Sequence, residues 1–541
     1  MDLILFNGTI RTMDSLNNLA QAISISDGRI IKVGSDADVL KTVKPGAQLI
    51  DLKKKLVLPG FHDSHLHLLN YAITLDNINL SSVSSVEDLI FVSSKFLSEK
   101  ELDSVETETV RWVFGRGWNQ NNWEKKDMPD RYDLDKISLT IPLVLTRVCG
   151  HIAVANSKAL ELLGLSKQSR FVEGGKIEVD KDGIPTGIFA ENALDILYEQ
   201  LEPMSVDVIK KKILFAAGKL VESGITAVQS DDLRSGTDEW EDVLNAFIEL
   251  SNERELPIRV YEQCSLPSID ILKDFTNKGY KTGQDFGAFK IGPLKLLADG
   301  SLGGRTAYLP KPYADNPYTR GIPCYSQDQL DELVTYADEN DMQIAVHCIG
   351  DAAMKMVLGA YDKIEIIGKK RNGIIHCQIM TDEIINEMAQ RGIIAYIQPV
   401  FTNTDWKMAE DRIGKDSSMA LYPWNYLREA GVLITLGTDA PVESFDPIAN
   451  IYCAVTREDL SGEPKGGWVP KEKLTVEDAV IGYTLNSAIA CFSESEMGTL
   501  EEGKLGDLVV LTEDIFEISP EHIRNAKVDM TVINGKVAFS R

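Results

Sequence analysis

The 541-residue sequence has few cysteines and no long apolar run. Its seven cysteines include no C-x-x-C pair, which favours free thiols in a reducing cytoplasm over a disulfide framework. Because no stretch of about 18 apolar residues occurs, we predict no transmembrane helix. The first residues, MDLILFNGTI, lack the basic segment and apolar run of a signal peptide. We therefore expect a cytoplasmic protein that does not bind membranes.

Positive charge is also scarce. The chain has 56 lysines and arginines against 82 acidic residues, a formal net charge of −26. Such a surface repels polyanions, so we expect a small-molecule substrate and no nucleic-acid partner. The composition is otherwise that of an ordinary soluble globular protein. Dimers are the commonest closed assembly, and a homodimer is the oligomer that we consider.

The hydrophobic patterning divides the chain into three parts. Residues 1–58 and 489–541 are β-rich and contain Asn-Gly and Asp-Gly turns, which predicts one small β-sandwich built from both termini. Residues 59–72 and 206–488 alternate apolar β-runs with helical stretches, which predicts an α/β fold of the (β/α)₈ TIM-barrel type. Residues 73–205 are too long for one connection and are predicted to form an inserted subdomain over the barrel mouth. Eight candidate barrel strands lie near residues 60, 226, 260, 294, 346, 375, 396 and 436.

Histidine is one of the least frequent residues in the chain, and its positions are informative. The chain has seven histidines. His65 and His67 end the first candidate strand, where residues i and i+2 point to one face. His347 and His376 end two further apolar strands, QIAVH and GIIH. Each alone would be read as a structural residue, but the carboxyl ends of barrel strands share one rim. The four together predict a common metal site.

Three other residues join this pattern. Asp439, in LITLGTDAP, could bind metal and accept a proton from water, although a turn or helix cap is the alternative. Lys295 lies inside an apolar strand, where an ammonium group is costly to bury, and a snorkelling lysine is its alternative. Asp63 could orient the histidines or be a buried polar group satisfied by hydrogen bonds. Cys348 and Cys377 are predicted to face the helix layer.

Six segments together resemble the amidohydrolase superfamily, and more narrowly its family 3 branch, which includes N-substituted formamide deformylase. They are PGFHDSHLH, KLLADGSLGGRTA, AVHCIGDAA, GIIHCQ, TLGTDAPVESFDP and EEGKLGDLVVL. The resemblance extends over nearly the whole chain. It implies that His65, His67 and Asp439 hold a more buried ion and that His347 and His376 hold a second. It also implies that Lys295 is carboxylated and bridges the two ions.

The resemblance implies one or two Zn²⁺ ions, with Mn²⁺, Co²⁺, iron or Ni²⁺ also compatible with such ligands. A metal-bound hydroxide would attack a carbonyl carbon, and Asp439 would pass the water's proton to the leaving amine. His151 resembles a substrate contact of the branch, but Cys149 replaces an aspartate often found there, so a structural role is its alternative. Trp118 and Arg305 are further predicted substrate contacts, with a surface salt bridge as the alternative for Arg305. Glu191 is a weaker candidate.

The sequence thus predicts a metal-dependent hydrolase that cleaves an amide-type, non-peptide C–N bond in a small molecule. The first alternative is a mononuclear deaminase or N-acyl amino acid deacylase of the same superfamily. Deaminases usually have a glutamate helically close to the fifth-strand histidine, and CIGDAAMK after His347 has none. The second alternative is a non-catalytic scaffold on the same fold. Formamides, N-acyl compounds, hydantoin-like rings and esters all remain open as substrates.

Overall fold

The N-terminal residues form short strands and one helix. In this computed structural model, residues 2–16, 18–100, 111–165, 172–200, 203–235, 240–364, 370–414 and 419–541 are described. The first elements are β1 (Leu3–Phe6), β2 (Thr9–Arg11), β3 (Leu19–Ala20), β4 (Ala22–Ser26), β5 (Arg29–Gly34), α1 (Asp36–Leu40), β6 (Gln48–Asp51) and β7 (Leu56–Pro59).

A single barrel strand and a long excursion follow. The elements are β8 (Phe61–Leu66), α2 (Leu68–Thr74), β9 (Ile78–Asn79), α3 (Val86–Glu99), β10 (Val113–Trp118), α4 (Arg131–Asp135), β11 (Leu143–Arg147), β12 (Ile152–Ala155), α5 (Ser157–Leu162), β13 (Gly175–Val179), β14 (Pro185–Glu191) and α6 (Asp195–Tyr198).

Strands and helices then alternate to the end of the barrel. They are α7 (Val206–Glu222), β15 (Ile225–Ser230), α8 (Trp240–Asn252), β16 (Arg259–Ser265), α9 (Ile269–Asn277), β17 (Phe289–Leu297), α10 (Gln327–Glu339), β18 (Ile344–Cys348), α11 (Asp351–Tyr361), β19 (Gly373–His376), β20 (Ile379–Met380), α12 (Asp382–Arg391), β21 (Ile394–Ile397), α13 (Thr402–Asp405), α14 (Ala409–Ile413), β22 (Ala420–Leu421), α15 (Trp424–Glu429), β23 (Ile434–Leu436), α16 (Pro447–Thr456), α17 (Val476–Gly482) and α18 (Leu485–Ala490). The chain finishes with β24 (Leu508–Leu511), β25 (Val528–Ile533) and β26 (Lys536–Ser540).

The eight predicted barrel strands form one parallel sheet. Its order is β8-β15-β16-β17-β18-β19-β21-β23. The two edges meet through backbone hydrogen bonds: Asp439 N donates to His65 O at 2.7 Å, and His67 N donates to Ala440 O at 2.8 Å. The sheet is therefore nearly closed, as in a TIM barrel. Its strands are buried along almost their full length, which is typical of parallel sheets covered by helices.

The first predicted barrel strand, residues 56–68, is in fact two strands. β7 pairs with β24 in the terminal sheet, and β8 pairs with β15 in the barrel. Gly60 lies between the two strands. A side chain does not fit at this position, because a Cβ there would lie 2.3 Å from the Thr226 hydroxyl. β8 also ends at Leu66, so His67 lies just past the strand instead of within it.

Both termini contribute to a second region. Its four-stranded sheet has the order β5-β4-β1-β6, and its six-stranded sheet has the order β26-β25-β24-β7-β2-β3. Leu5, Ile25, Val57, Leu508 and Val532 belong to one apolar cluster shared by these sheets. The arrangement is compatible with the predicted composite β-sandwich, which stays a prediction, as do the domain boundaries.

A six-stranded sheet occupies the excursion between β8 and β15. Its order is β13-β14-β12-β11-β10-β9. Alternating residues of β11 pack into two different clusters: Leu143 and Leu145 into one, Val144 into the other. This period of two shows that both faces of the inserted sheet are covered. Among the described residues, every helix is too short or too polar to span a bilayer.

Candidate metal centre and active site

Three predicted ligands converge at one end of the barrel. His65 is the penultimate residue of β8, His376 is the last residue of β19, and Asp439 follows β23. One potential ligand atom from each lies within 4.8 Å of the other two, and all three residues are buried. The His347 ring centroid lies 4.4 Å from that of His376, and the His67 centroid lies 5.3 Å from that of His65. The four histidines and the carboxylate predicted as ligands are thus brought together.

The backbone is strained where two of these residues leave their strands. His376 has a φ of 80° and Asp439 a φ of 58°, in the left-handed region that non-glycine residues rarely adopt. Such a conformation costs about 1–3 kcal/mol and persists where surrounding contacts enforce it. Asp63 is one such contact, because its carboxylate accepts hydrogen bonds from the backbone N–H groups of His65 and Thr438 and from the Thr438 hydroxyl. Asp63 therefore joins the two edges of the barrel below the ligands.

Glutamine side chains fix the orientation of two histidines. His65 Nδ1 lies 2.6 Å from Gln263 Oε1, and His376 Nδ1 lies 2.8 Å from Gln398 Oε1. An amide oxygen can only accept, so Nδ1 carries the proton in each ring and Nε2 is left with its lone pair. Burial lowers the pKa of both histidines, that of His376 to about 4, which also favours neutral rings. Neutral imidazoles with a free Nε2 are the form that binds metal.

His67 and Asp439 interact directly. His67 Nε2 lies 3.1 Å from Asp439 Oδ1, and its Nδ1 lies 2.9 Å from the carbonyl oxygen of Asp231. His65 Nε2 lies 3.4 Å from the same Asp439 oxygen. Burial raises the pKa of Asp439, but the hydrogen bond from His67 and the charges of the histidines outweigh it and hold that pKa below its usual range.

Lys295 lies on β17 within the same cluster. Its side chain is 2% exposed, and its Nζ donates to Asp231 Oδ2 at 2.9 Å. The Lys295 side chain is therefore paired with a buried carboxyl group. Asp231 was not predicted, although it directly follows β15 in the sequence QSDD, at the rim where the other ligands lie. Its position at a strand end was a signal that could have identified it.

His347 is held differently from the other histidines. Its Nε2 lies 3.2 Å from the carbonyl oxygen of Gly300 and 3.6 Å from Asp299 Oδ1. The ring would therefore present Nδ1 to a metal ion. Asp299, a second residue that the sequence analysis missed, accepts hydrogen bonds from the backbone of Ile349 and Gly350 just after β18. It fixes the turn that follows His347.

His151 reaches the centre from the inserted sheet. Its ring centroid lies 4.9 Å from that of His347, and its Nδ1 lies 2.7 Å from Glu191 Oε2. Burial lowers the pKa of His151, but the charge and hydrogen bond of Glu191 outweigh it and raise that pKa to about 9. At neutral pH the ring is thus an imidazolium that can donate a hydrogen bond into the cavity.

The candidate ligands share one cavity of about 340 Å³ with Lys295, Asp231, His151 and Glu191. The barrel contributes the histidines, Lys295, Asp231 and Asp439. The inserted region contributes the opposite wall, which includes Phe114, Arg116, Thr146, His151, Glu191 and Tyr198. The cavity is therefore enclosed by both regions of the chain.

The structure places two predicted substrate contacts, Trp118 and Arg305, outside the cavity lining. Trp118 is fully buried, donates its indole N–H to the carbonyl oxygen of Leu145 and does not line the cavity. Strict alternation would give it the same orientation as Arg116, but the β10–β11 register shifts at Gly117, which has a φ of 119°. The bulge turns the indole into the apolar cluster on the other face. Arg305 instead forms a two-point ion pair with Asp315, the salt bridge considered as its alternative.

The donor set fits a divalent cation. Imidazole nitrogens combined with carboxylate oxygens suit zinc, manganese, cobalt, iron and nickel alike. The hydrogen bonds of Gln263 and Gln398 are the kind of outer contact that fixes ligand tautomers at metal sites. The candidate ligands thus have the chemistry, convergence and orientation that a metal centre requires.

Comparison with known proteins agrees with this geometry. The amidohydrolase family model matches residues 48–539. The chain belongs to the amidohydrolase family. YtcJ of Bacillus subtilis (strain 168) is 31% identical to this amidohydrolase over 545 residues, covering 100% of both chains. N-substituted formamide deformylase of Arthrobacter pascens is 26% identical, covering 100% of this chain and 98% of the relative.

A solved structure gives the same result. The crystal structure of an uncharacterized metal-dependent hydrolase from Pyrococcus horikoshii OT3 superposes with a TM-score of 0.75 at 28% identity, covering 96% of this chain and 99% of the other. The predicted resemblance to the family 3 branch is therefore confirmed, and this amidohydrolase shares its fold from end to end with a relative of known structure.

Proposed function

We propose that this amidohydrolase hydrolyses an amide-type, non-peptide C–N bond in a small molecule, using one or two divalent ions. The observation that carries the proposal is the convergence of ligand atoms from His65, His376 and Asp439 within 4.8 Å. These three side chains come from the ends of β8, β19 and β23, far apart in sequence. A buried cluster of this composition has little structural purpose, since each of its polar groups must be desolvated.

The proposed ligand sets follow the family resemblance. His65, His67 and Asp439 would hold one ion, and His347 and His376 would hold the other. The clustered trio takes members from both sets, which supports two neighbouring positions within a single pocket. When bound, a divalent ion supplies an acidified water and polarises the substrate carbonyl.

The protein groups would then manage the protons. The oxygen of water joins the acyl carbon while the C–N bond breaks, and one water proton must reach the departing nitrogen. Asp439 lies among the ligands, so its carboxylate would accept that proton and deliver it to the amine. His151, held by Glu191, would donate a hydrogen bond to the carbonyl oxygen as negative charge develops there. The products are a carboxylic acid and an amine.

We further propose that Lys295 is carboxylated in the metal-loaded protein. The Lys295 ammonium group, now paired with Asp231, would lose one proton, add carbon dioxide at its nitrogen and release a second proton, and the oxygens of the resulting carbamate would help to hold the ions. Native mass spectrometry should detect the added mass of one carbon dioxide in wild-type protein and not in Lys295→Ala. The same substitution should lower metal content, and short carboxylates should partly restore it. Unchanged metal stoichiometry in Lys295→Ala would make Lys295 a structural residue.

The function is tested by a metal-loaded activity screen over N-formyl, N-acyl and cyclic amide compounds. We expect amine release that a chelator abolishes and that Zn²⁺, Mn²⁺ or Co²⁺ restores. His376→Ala should lose metal by elemental analysis, whereas His522→Ala, an exposed histidine near the C-terminus, should keep it. Protein without metal or metal activation would favour the non-catalytic scaffold. One ion per chain with ammonia release would favour the deaminase.

A further inference from the structure

The charged side chains of the cavity wall are almost all paired. Outside Asp439, each has an opposite charge close by, with one exception. The pairs are Lys295 with Asp231 at 2.9 Å, His151 with Glu191 at 2.7 Å, and Arg234 with Asp195 at 3.4 Å. The exception among the described residues is Arg116.

Arg116 projects from β10 and is half-buried. The one acceptor for its guanidinium group in the described part of the chain is the carbonyl oxygen of Val148, 3.2 Å from Nη2. Its Nε is buried and has no hydrogen-bond partner there. A guanidinium group stays charged at any physiological pH, and leaving it partly desolvated without a counter-ion is unfavourable. A ligand that supplies the missing anion would remove this cost.

The position of Arg116 relative to the metal centre is set by a short series of contacts. The rings of His376 and His347 are 4.4 Å apart, and those of His347 and His151 are 4.9 Å apart. Beyond His151, a Cβ on Gly150 would lie only 3.1 Å from Arg116 Nη2. Arg116 therefore lies beside the residue that precedes His151 and lines the same cavity as the ligands, where a second group of the substrate could reach it.

The surroundings of Arg116 define the rest of this subsite. Thr146 is its partner residue on β11, and the Thr146 hydroxyl lies 3.0 Å from the Tyr198 hydroxyl. Phe114, two residues earlier on the same face of β10, adds an apolar ring. The subsite thus combines one cation, two hydroxyl groups and an aromatic surface.

We propose that Arg116 binds a carboxylate of the substrate, so that the preferred substrates are amides that carry a carboxylate, of which N-acyl amino acids are the simplest. This inference rests on the proposed C–N hydrolysis. A guanidinium group makes paired hydrogen bonds with a carboxylate or a phosphate. The carboxylate is favoured because Arg116 supplies one positive charge and the other described cations of the cavity wall are already paired with acidic residues.

The test compares N-formylphenylalanine with its carboxamide, which has the same size and no charge. In wild type, kcat/KM should be at least about tenfold higher for the carboxylate, as expected for one charge-assisted contact. Arg116→Gln should abolish this preference mainly through KM. Arg116→Lys keeps the charge but not the fork and should retain part of it. Arg234→Gln, which changes a second arginine of the cavity that already has an acidic partner, should leave the ratio within about twofold.

A binding experiment separates this inference from the proposed function. Calorimetry on chelator-treated protein should detect phenylacetate but not phenylacetamide, and Arg116→Gln should lose phenylacetate binding. This result without any amide hydrolysis would leave the anion subsite standing and overturn the function. Hydrolysis with equal preference in wild type, Arg116→Gln and Arg116→Lys would overturn the subsite alone. Inorganic phosphate binding more tightly than phenylacetate would overturn the carboxylate assignment.

Discussion

The barrel rim and the inserted sheet form opposite walls of one cavity, but their side chains differ in burial and in the number of their hydrogen-bond partners. On the rim, most chemically active side chains are buried and held by another group, as His65 is by Gln263 and His376 is by Gln398. On the inserted wall, Arg116 is half-buried and has a single acceptor among the residues that the structure describes. A wall whose groups are already satisfied can hold a fixed reaction centre. A wall with unsatisfied groups leaves contacts for the substrate to make.

This contrast assigns the two properties of an enzyme to two parts of the chain. We infer that the reaction chemistry depends mainly on the barrel, whose strand ends are fixed by the closed sheet. We infer that the choice of substrate depends mainly on the insertion, which in the described part of the chain brings His151 next to the cluster. Substitutions at the barrel rim should therefore lower kcat or metal affinity, whereas substitutions on the inserted wall should change substrate preference.

The largest expected effect comes from a substitution at the barrel rim. Asp439→Asn should keep the fold and the metal but lower kcat by about 10²–10⁴-fold, because the proton carrier is lost. The measurement is kcat at saturating metal, with metal content checked by elemental analysis. Asp180→Asn, at the exposed β13–β14 turn, is the matched control and should change kcat little. A nearly normal rate in Asp439→Asn would refute the role of this carboxylate.

A smaller effect should come from the groups that orient the ligands. Gln398→Leu removes the acceptor of His376 Nδ1 and should weaken metal affinity by about 10–100-fold. Metal titration against a competing chelator measures this change. Thr146→Val, on the opposite wall, should leave metal affinity within error. Equal metal affinity in wild type and Gln398→Leu would show that the glutamine does not position the ring.

The smallest effect concerns the interior of the insertion. Trp118→Phe loses the hydrogen bond to the carbonyl oxygen of Leu145 and should lower the free energy of unfolding by about 1 kcal/mol. Urea unfolding measures the loss, and KM for the best substrate of the screen should not move. A raised KM with unchanged stability would instead indicate that Trp118 contacts the substrate. Both faces of the inserted sheet would then contribute to the substrate site.

Much of the fold could be predicted because its signals are local. The eight apolar runs are recognisable as buried strands, and the histidines and Asp439 lie at or just past the ends of such runs. Since parallel strands in a barrel end at one rim, spacing along the chain was enough to bring them together. Asp231 and Asp299 were missed because aspartates after strands are common in turns. Their roles depend on which side chains lie opposite, and the sequence does not contain that information.

The positions of Trp118 and Arg305 outside the cavity lining could not be foreseen, for the same reason. A bulge at Gly117 turns the Trp118 side chain away from the cavity. Arg305 forms an ion pair with Asp315, ten residues later in the chain. Neither the register shift nor the ion pair leaves a periodic trace in the sequence. Arg116, one residue before that glycine in GRGWNQNNW, was not singled out because an arginine becomes notable only when its neighbours are known to lack a carboxylate.

The α/β architecture, the family and the group of residues that meet at the rim could all be inferred from the order of residues along the chain. These follow from apolar periodicity and from residue types at strand ends, which are properties of short segments. The orientation of each ring, the pairing of the buried charges and the side of the inserted sheet that faces the cavity are visible only in the folded chain. Those features depend on contacts between segments up to several hundred residues apart, whose geometry is fixed when the barrel closes and the inserted sheet packs over it.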